Sequence, residues 1–375
     1  MELSRRFVRA FLACACLLAA LASGNVWAEL SGEQVDALVA NAKADDKAAL
    51  QSLTDEAYAG NPYAQFSVGW LHDQGQGVPQ DYGLAAQWYR QAADQGNAGA
   101  QFNLGVLYER GQGVARDYGQ AALWYRKAAD QGNAGAQFNL GVSYAQGQGV
   151  ARDYAQAALW YRKAADQGNA NAQNNLGGLY YRGQGVSQDY GQAALWFRKA
   201  ADQGNANAQC GLGVSYHKGQ GVPQDYGQAA LWYGKAAQQG YGLAQFLLGW
   251  LYERGEGVPQ HYGQAAQWYR KAAQQGNAGA QFNLGMLYAT GQGVPRNKVV
   301  GYALLNLAAA QESASGDHRA SESRSRLAQD MTKPAIEAGQ ALAGKMNVTG
   351  DLLQALDDYL AKPVLDPRAL ARSQG

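Results

Sequence analysis

Residues Asn97 to Gly132 read NAGAQFNLGVLYERGQGVARDYGQAALWYRKAADQG, and this stretch decides the fold because it recurs with small changes along most of the chain. Trp88, Trp124, Trp160, Trp196, Trp232 and Trp268 stand 36 residues apart with no insertion between them. Gly-x-Gly-Val loops keep the same period, at Gly75, Gly111, Gly147, Gly183, Gly219, Gly255 and Gly291. Seven repeats follow: 61 to 96, 97 to 132, 133 to 168, 169 to 204, 205 to 240, 241 to 276, and a diverged last one from 277 to 312. Self-similarity at this period marks an array in which each repeat chiefly contacts its neighbours.

Within each repeat the punctuation predicts two helices. Asn97 is a good N-cap for the first, and Pro62 after Asn61 supports that placement because proline suits the first helical position. Gly111 predicts a left-handed stop, and Val114 an apolar anchor after the turn. Asp117 with Gln120 predicts a capping box for the second helix, repeated at Asp153 with Gln156, Asp189 with Gln192 and Asp225 with Gln228. His261 replaces the Asp in the sixth repeat, a change expected to weaken that cap by about 1 kcal/mol. Tyr118, Ala122, Tyr125 and Ala129 share one face of the second helix, where small residues allow close approach to Ala100 and Gly105 of the first. The fold class expected is therefore all-α: an α/α superhelical solenoid of seven helix-turn-helix repeats.

Outside the array, Arg5, Arg6 and Arg9, an apolar run from Ala10 to Ala22 and the Val26-Trp27-Ala28 site read as a cleavable signal peptide over residues 1 to 28. That run is shorter than the roughly 20 residues a bilayer span needs. Its removal leaves 28 basic and 29 acidic side chains, a balance that argues against a nucleic-acid partner. Cys14 and Cys16 go with it, so Cys210 alone remains and no internal disulfide is possible. Residues 29 to 60 read as an N-terminal capping half repeat, since Asp45 to Asn61 aligns with Asp117 to Asn133 in a more polar version. Residues 313 to 346 read as C-terminal capping helices, around Arg319 to Met331 and Pro334 to Met346. In the tail, 347 to 375, Leu352, Leu353, Leu356, Tyr359 and Leu360 form an amphipathic stripe that either packs back on the body or binds a partner.

The repeat pattern, carried by Ala100, Leu104, Gly105, Tyr108, Gly111, Gly113, Val114, Asp117, Tyr118, Ala121, Trp124, Tyr125, Lys127, Ala128, Ala129 and Gly132, resembles the Sel1-like repeat, a relative of the tetratricopeptide repeat. The resemblance covers 61 to 312. It implies an α/α superhelix serving as a protein-interaction scaffold, and exported bacterial members suggest a periplasmic or secreted adaptor in envelope signalling, secretion or virulence. A cysteine-rich subfamily is described as binding or slowly hydrolysing penicillins. This chain lacks that subfamily's cysteines, so that activity is not carried over; a cell-wall ligand binder or weak β-lactam hydrolase is the alternative that this argues against, and exopolysaccharide or peptidoglycan binding is a third.

No catalytic constellation can be named, and no cofactor or metal is expected. The Gly-x-Gly-Val loops lack the strand and the Gly-Lys-Ser/Thr that a phosphate cradle needs. His72, His217, His261 and His318 lie in different segments without metal-ligand spacing. Cys210 stands where other repeats carry phenylalanine and reads as a small hydrophobe. The regular tryptophans read as packing.

At 100° per residue, one stripe of each first helix varies while the core positions repeat. It runs Ser67, Trp70, Gln74; Asn103, Val106, Arg110; Asn139, Val142, Gln146; Asn175, Gly178, Arg182; Gly211, Val214, Lys218; Leu247, Trp250, Arg254; and Asn283, Met286, Thr290. In the family's architecture first helices line the concave wall, so the partner-binding candidates are Trp70, Gln74, Asn103, Arg110, Asn139, Asn175, Arg182, Lys218, Trp250, Arg254, Asn283 and Met286. Trp, Met and Arg anchors favour a protein or peptide partner over merely unconstrained exposure.

Overall fold

The structure is a computed structural model that describes residues 30–44, 46–312, 318–348 and 351–361. The proposed export segment lies outside the described residues. Nineteen α-helices and no strand are found among them, the α/α solenoid class that the repeats predict. The chain divides into two compact bodies, Met1–Asn169 and Ala170–Gly375.

In the first body α1 (Gly32–Lys43) and α2 (Lys47–Tyr58) precede three repeats: α3 (Pro62–Gln74) with α4 (Tyr82–Asp94), α5 (Ala98–Arg110) with α6 (Tyr118–Asp130), and α7 (Ala134–Gln146) with α8 (Tyr154–Asp166). Each helix packs on the next one in the chain. In the second body α9 (Ala170–Arg182) to α16 (Lys298–Ala310) form four repeats, as the pairs α9 with α10 (Tyr190–Asp202), α11 (Ala206–Lys218) with α12 (Tyr226–Gln238), α13 (Gly242–Arg254) with α14 (Tyr262–Gln274), and α15 (Ala278–Thr290) with α16. Next come α17 (Arg319–Gln329), α18 (Lys333–Val348) and α19 (Leu352–Leu360). Both α17 and α18 pack on α16, and α19 packs on α18 and α14.

The local chemistry explains these boundaries. Asn97 sits in extended backbone and its Oδ1 accepts from the Ala100 N–H, while Gly111 ends α5 with φ 68°. Gly113 is demanded twice over: its φ is +68°, and a Cβ there would lie 2.1 Å from the Tyr82 carbonyl of the preceding repeat. The loop therefore serves as a backbone-to-backbone seam between repeats. Within a repeat, Gly105 makes room for a side chain instead, since a Cβ would come 2.7 Å from the Tyr125 ring. Trp124, 2% exposed, closes this core, with the Arg90 guanidinium 5.0 Å and the Lys127 ammonium 3.9 Å from its ring.

One sequence expectation is corrected. The Asp117 carboxylate accepts from the Gly119 and Gln120 N–H groups, but the reciprocal half of a capping box is superfluous, because the Asp117 N–H already donates to the Tyr108 carbonyl of the first helix at 3.0 Å. The same backbone bond recurs at Asp153, Asp189 and Asp225. In the sixth repeat the cap is kept by a ring nitrogen in place of a carboxylate, His261 Nδ1 accepting from the Gln264 N–H at 3.0 Å.

A buried glutamine at each seam was not foreseen. Gln137, 4% exposed, donates from Nε2 to the Ala129 carbonyl at 3.1 Å, and its Oε1 accepts from Gln167 Nε2 at 2.8 Å. Equivalent bonds link Gln101 with Ala93 and Gln131, and Gln245 with Ala237 and Gln275. A buried amide must find its partners, and this one finds Ala129 in the preceding repeat and Gln167 in its own. The C-terminal stripe packs back: Leu352 and Leu356 are buried, Leu353 N donates to Gln274 Oε1 at 2.9 Å, and Arg270 pairs with Asp357 at 2.5 Å.

Candidate functional site

The varying stripe separates into three kinds of position. Its first residues are partly committed to structure. Asn103 donates from Nδ2 to the Tyr89 hydroxyl at 3.0 Å, and that hydroxyl donates to Asp73 Oδ2 at 3.1 Å. Asn283 and Glu253 hold the Tyr269 hydroxyl in the same way, at 2.9 and 2.5 Å, and Asn139 with Glu109 holds Tyr125. Burial first, then the adjacent carboxylate, pushes the Tyr89, Tyr125 and Tyr269 hydroxyls far above the ordinary tyrosine range. They stay neutral and act as fixed donors. Asn175 accepts from its neighbour Asn174 at 3.2 Å.

Middle positions are half-buried platforms. Trp70 lies under the Lys43 ammonium, 4.1 Å from its ring centre, in the first body, and Met286 is half-buried in the second. Last positions of the stripe, Gln74, Arg110, Arg182, Lys218 and Arg254, are exposed helix ends. Arg182 donates from Nε to Gln184 Oε1 at 2.7 Å, and Lys218 from Nζ to the Tyr181 hydroxyl at 3.2 Å.

In the second body several of the candidates line one cavity. Trp250, Arg254 and Asn283 line an open groove of about 380 Å³ with Glu253, Gln260, Tyr262 and Gln292. The indole of Trp250 is part of a stack: the His217 ring centre is 5.2 Å away and tilted by 31°, and the Arg254 guanidinium lies 4.6 Å over the ring. Glu256 Oε1 fixes Arg254 through its Nε at 2.6 Å. Burial holds the His217 imidazole below its ordinary pKa, against the pull of Glu256, so this stack is built around a neutral ring. Gln260 is pinned by donating to the Glu253 carbonyl at 2.9 Å and to the Tyr262 hydroxyl at 3.1 Å. The groove thus offers an aromatic edge, a fixed cation, a carboxylate and several amides, which suits hydrogen bonding to a polar chain.

Sequence reasoning missed Gln260, Tyr262 and Gln292 because each repeats, or nearly repeats, in other units and so looked structural. Cys210 is 3% exposed, and burial pushes its thiol up to about 12. Trp160 and Trp232 share the cover seen over Trp124, with an arginine at 5.2 and 5.3 Å and a lysine at 4.0 Å from each ring. Their faces are not available as a stacking ladder.

Comparison with known proteins places the chain. The Sel1 repeat family profile matches residues 62–97, 98–133, 134–169, 170–205, 206–241, 242–277 and 278–313, one residue later per repeat than the sequence parse. A Sel1 repeat protein from Oxalobacter formigenes is similar at 34% identity, covering 83% of this chain and 93% of that one with a TM-score of 0.60. The protective antigen c5321 of uropathogenic Escherichia coli, which displays an SLR fold, is similar at 26% identity, covering 90% of this chain and 99% of that one with a TM-score of 0.50. No curated protein matches. With seven consecutive matches over well more than half of its length, the chain belongs to the Sel1 repeat family.

Proposed function

We propose that this protein is a non-catalytic scaffold of the cell envelope that holds a protein or peptide partner on the varying stripe of its first helices. The observation that carries the reading is the Trp250 groove, where anchors that the repeat does not require meet a set of oriented amides. Aromatic and arginine side chains dominate interface energetics, and a fixed arginine stacked on an indole is such a pair. The arginine-rich apolar run at residues 1 to 28 supports export to the periplasm. No described helix is long and apolar enough to cross a membrane.

The test is a crosslinked pull-down from envelope extract with the parent chain and with Trp70→Val and Trp250→Val variants. Valine stands at this position in repeats 2, 3 and 5, so the helices accept it. Recovery of a defined protein by the parent, weakened in the variants at unchanged melting temperature, is the expected result. Recovery of glycan, or labelling by a β-lactam, with no protein partner would overturn the reading.

A further inference from the structure

Repeats 4 to 6, all in the second body, end their first helices on Arg182, Lys218 and Arg254, where repeats 1, 3 and 7 end on Gln74, Gln146 and Thr290. Arg254 is neutralised by Glu256. The other two face no carboxylate among the described residues. Arg182 touches Gln184 through Nε and has no acceptor there for either Nη group, and Lys218 reaches back to the Tyr181 hydroxyl of the preceding repeat. That hydroxyl donates in turn to Gln220 Oε1 at 3.0 Å, which ties repeats 4 and 5 together at this point.

Gly178 shows that the placement of Arg182 is specific. It is buried inside α9, at the position that carries Val, Trp or Met in the other repeats. A glycine inside a helix weakens it relative to a residue with a side chain. The vacated space is filled by the guanidinium: a Cβ on Gly178 would lie 3.3 Å from Arg182 Nη2 and 3.4 Å from Nη1. The helix gives up a side chain, and the Nη edge of the guanidinium packs against it, with Cζ farther off at 3.7 Å.

We propose that Arg182 and Lys218 dock a short acidic run of an extended partner segment, and that uncharged residues next to that run enter the Trp250 groove. The proposal rests on the scaffold reading and names the chemistry of the partner. The Arg182 guanidinium keeps N–H groups without an acceptor among the described residues and can donate them to a carboxylate, and the lysine supplies a second point charge. The positive row stops abruptly, because Arg254 is paired with Glu256, the Glu253 carboxylate lines the groove beside Trp250 and repeat 7 ends on Thr290. A long polyanion would meet repulsion there. An acidic run that gives way to neutral residues does not.

The experiment measures binding of the purified full chain to two fluorescein-labelled dodecapeptides. One carries an Asp/Glu run followed by Ser, Leu and Gln, and the other has the acids replaced by their amides. Polygalacturonate serves as a third probe. The acidic peptide is expected to bind at least about tenfold tighter than its amide twin, and less tightly as salt rises. Arg182→Gln and Lys218→Gln each weaken it roughly five- to tenfold. Gly178→Val weakens it too, without lowering the melting temperature, because it restores the residue of repeats 2, 3 and 5 while displacing the guanidinium. Equal binding of the two peptides, or dependence on Arg182 for polygalacturonate alone, overturns the proposal. If the pull-down partner is still recovered by Arg182→Gln/Lys218→Gln, the scaffold reading stands and this inference fails; if the parent recovers no protein, the scaffold reading itself fails.

Discussion

Replacing Gln137 tests whether the seams between repeats are held by dry amide bonds. The side chain is 4% exposed, with one bond to the Ala129 carbonyl and one from Gln167. Gln137→Leu removes both and keeps most of the volume. Each buried bond nets about 1 kcal/mol, and two groups lose a partner. The loss is limited, since Gly132 N still donates to Ala129 O and Gln167 Nε2 still donates to Gly132 O. The expected cost is roughly 1–3 kcal/mol. Gln137→Glu is the sharper variant, because it sets a carboxylate oxygen where Nε2 faced a carbonyl 3.1 Å away. Burial raises the pKa of such a carboxyl, so the deficit is smallest below the ordinary Glu range and grows as pH rises through the raised folded value. At neutral pH it should cost roughly 3–5 kcal/mol. The assay is urea denaturation followed by circular dichroism at neutral and acidic pH, comparing midpoints because a long array need not unfold in one step. If Glu is no worse than Leu at neutral pH, Gln137 does not sit in a dry seam and the reasoning is refuted.

Three further outcomes are expected. His261→Ala should cost about 1 kcal/mol while His261→Asp changes stability by no more than a few tenths, since the imidazole already caps α14; a melting experiment on the two variants checks this. His217 is held below the ordinary histidine range of about 6.5, so its stabilising contribution is complete above that range and is lost as pH falls through the folded value. The melting temperature should accordingly drop on acidification, and the drop should be smaller in His217→Gln; equal profiles would contradict the buried neutral ring. Cys210, with its thiol raised to about 12, should resist a thiol reagent at about pH 8 in the native chain and react promptly in denaturant, as absorbance at the reagent's wavelength would show.

The repeat boundaries, the Asn caps and the glycine stops were legible because each depends on one residue and its near neighbours. The Asp117 capping box was misread because its backbone N–H is satisfied from Tyr108, nine positions earlier in another helix. Gln137 gave no warning, since a constant glutamine looks like solvated helix surface until its reach to Ala129 and Gln167 is known. The Asp73–Tyr89–Asn103 chain crosses a repeat boundary, so two of its members read as a core aromatic and a variable polar residue. Among the stripe candidates, Trp250, Arg254 and Asn283 converge on one groove. Periodicity identifies the face of a helix, but it does not tell which neighbouring repeat completes a cavity there.

The glutamine seams also bear on how such a chain could change over generations. The glutamine bonds that cross the seams in the first body span the same eight residues, as Gln65 to Ala57, Gln101 to Ala93 and Gln137 to Ala129 show. Excising residues 98–133 would bring Ala134 directly after Asn97, with Gln137 set to meet Ala93 as Gln101 now does. The join is chemically silent. Only the trio Asn103, Val106 and Arg110 would vanish from the stripe. Whole-repeat duplication and loss can thus rewrite the order of anchors without any new seam having to be invented.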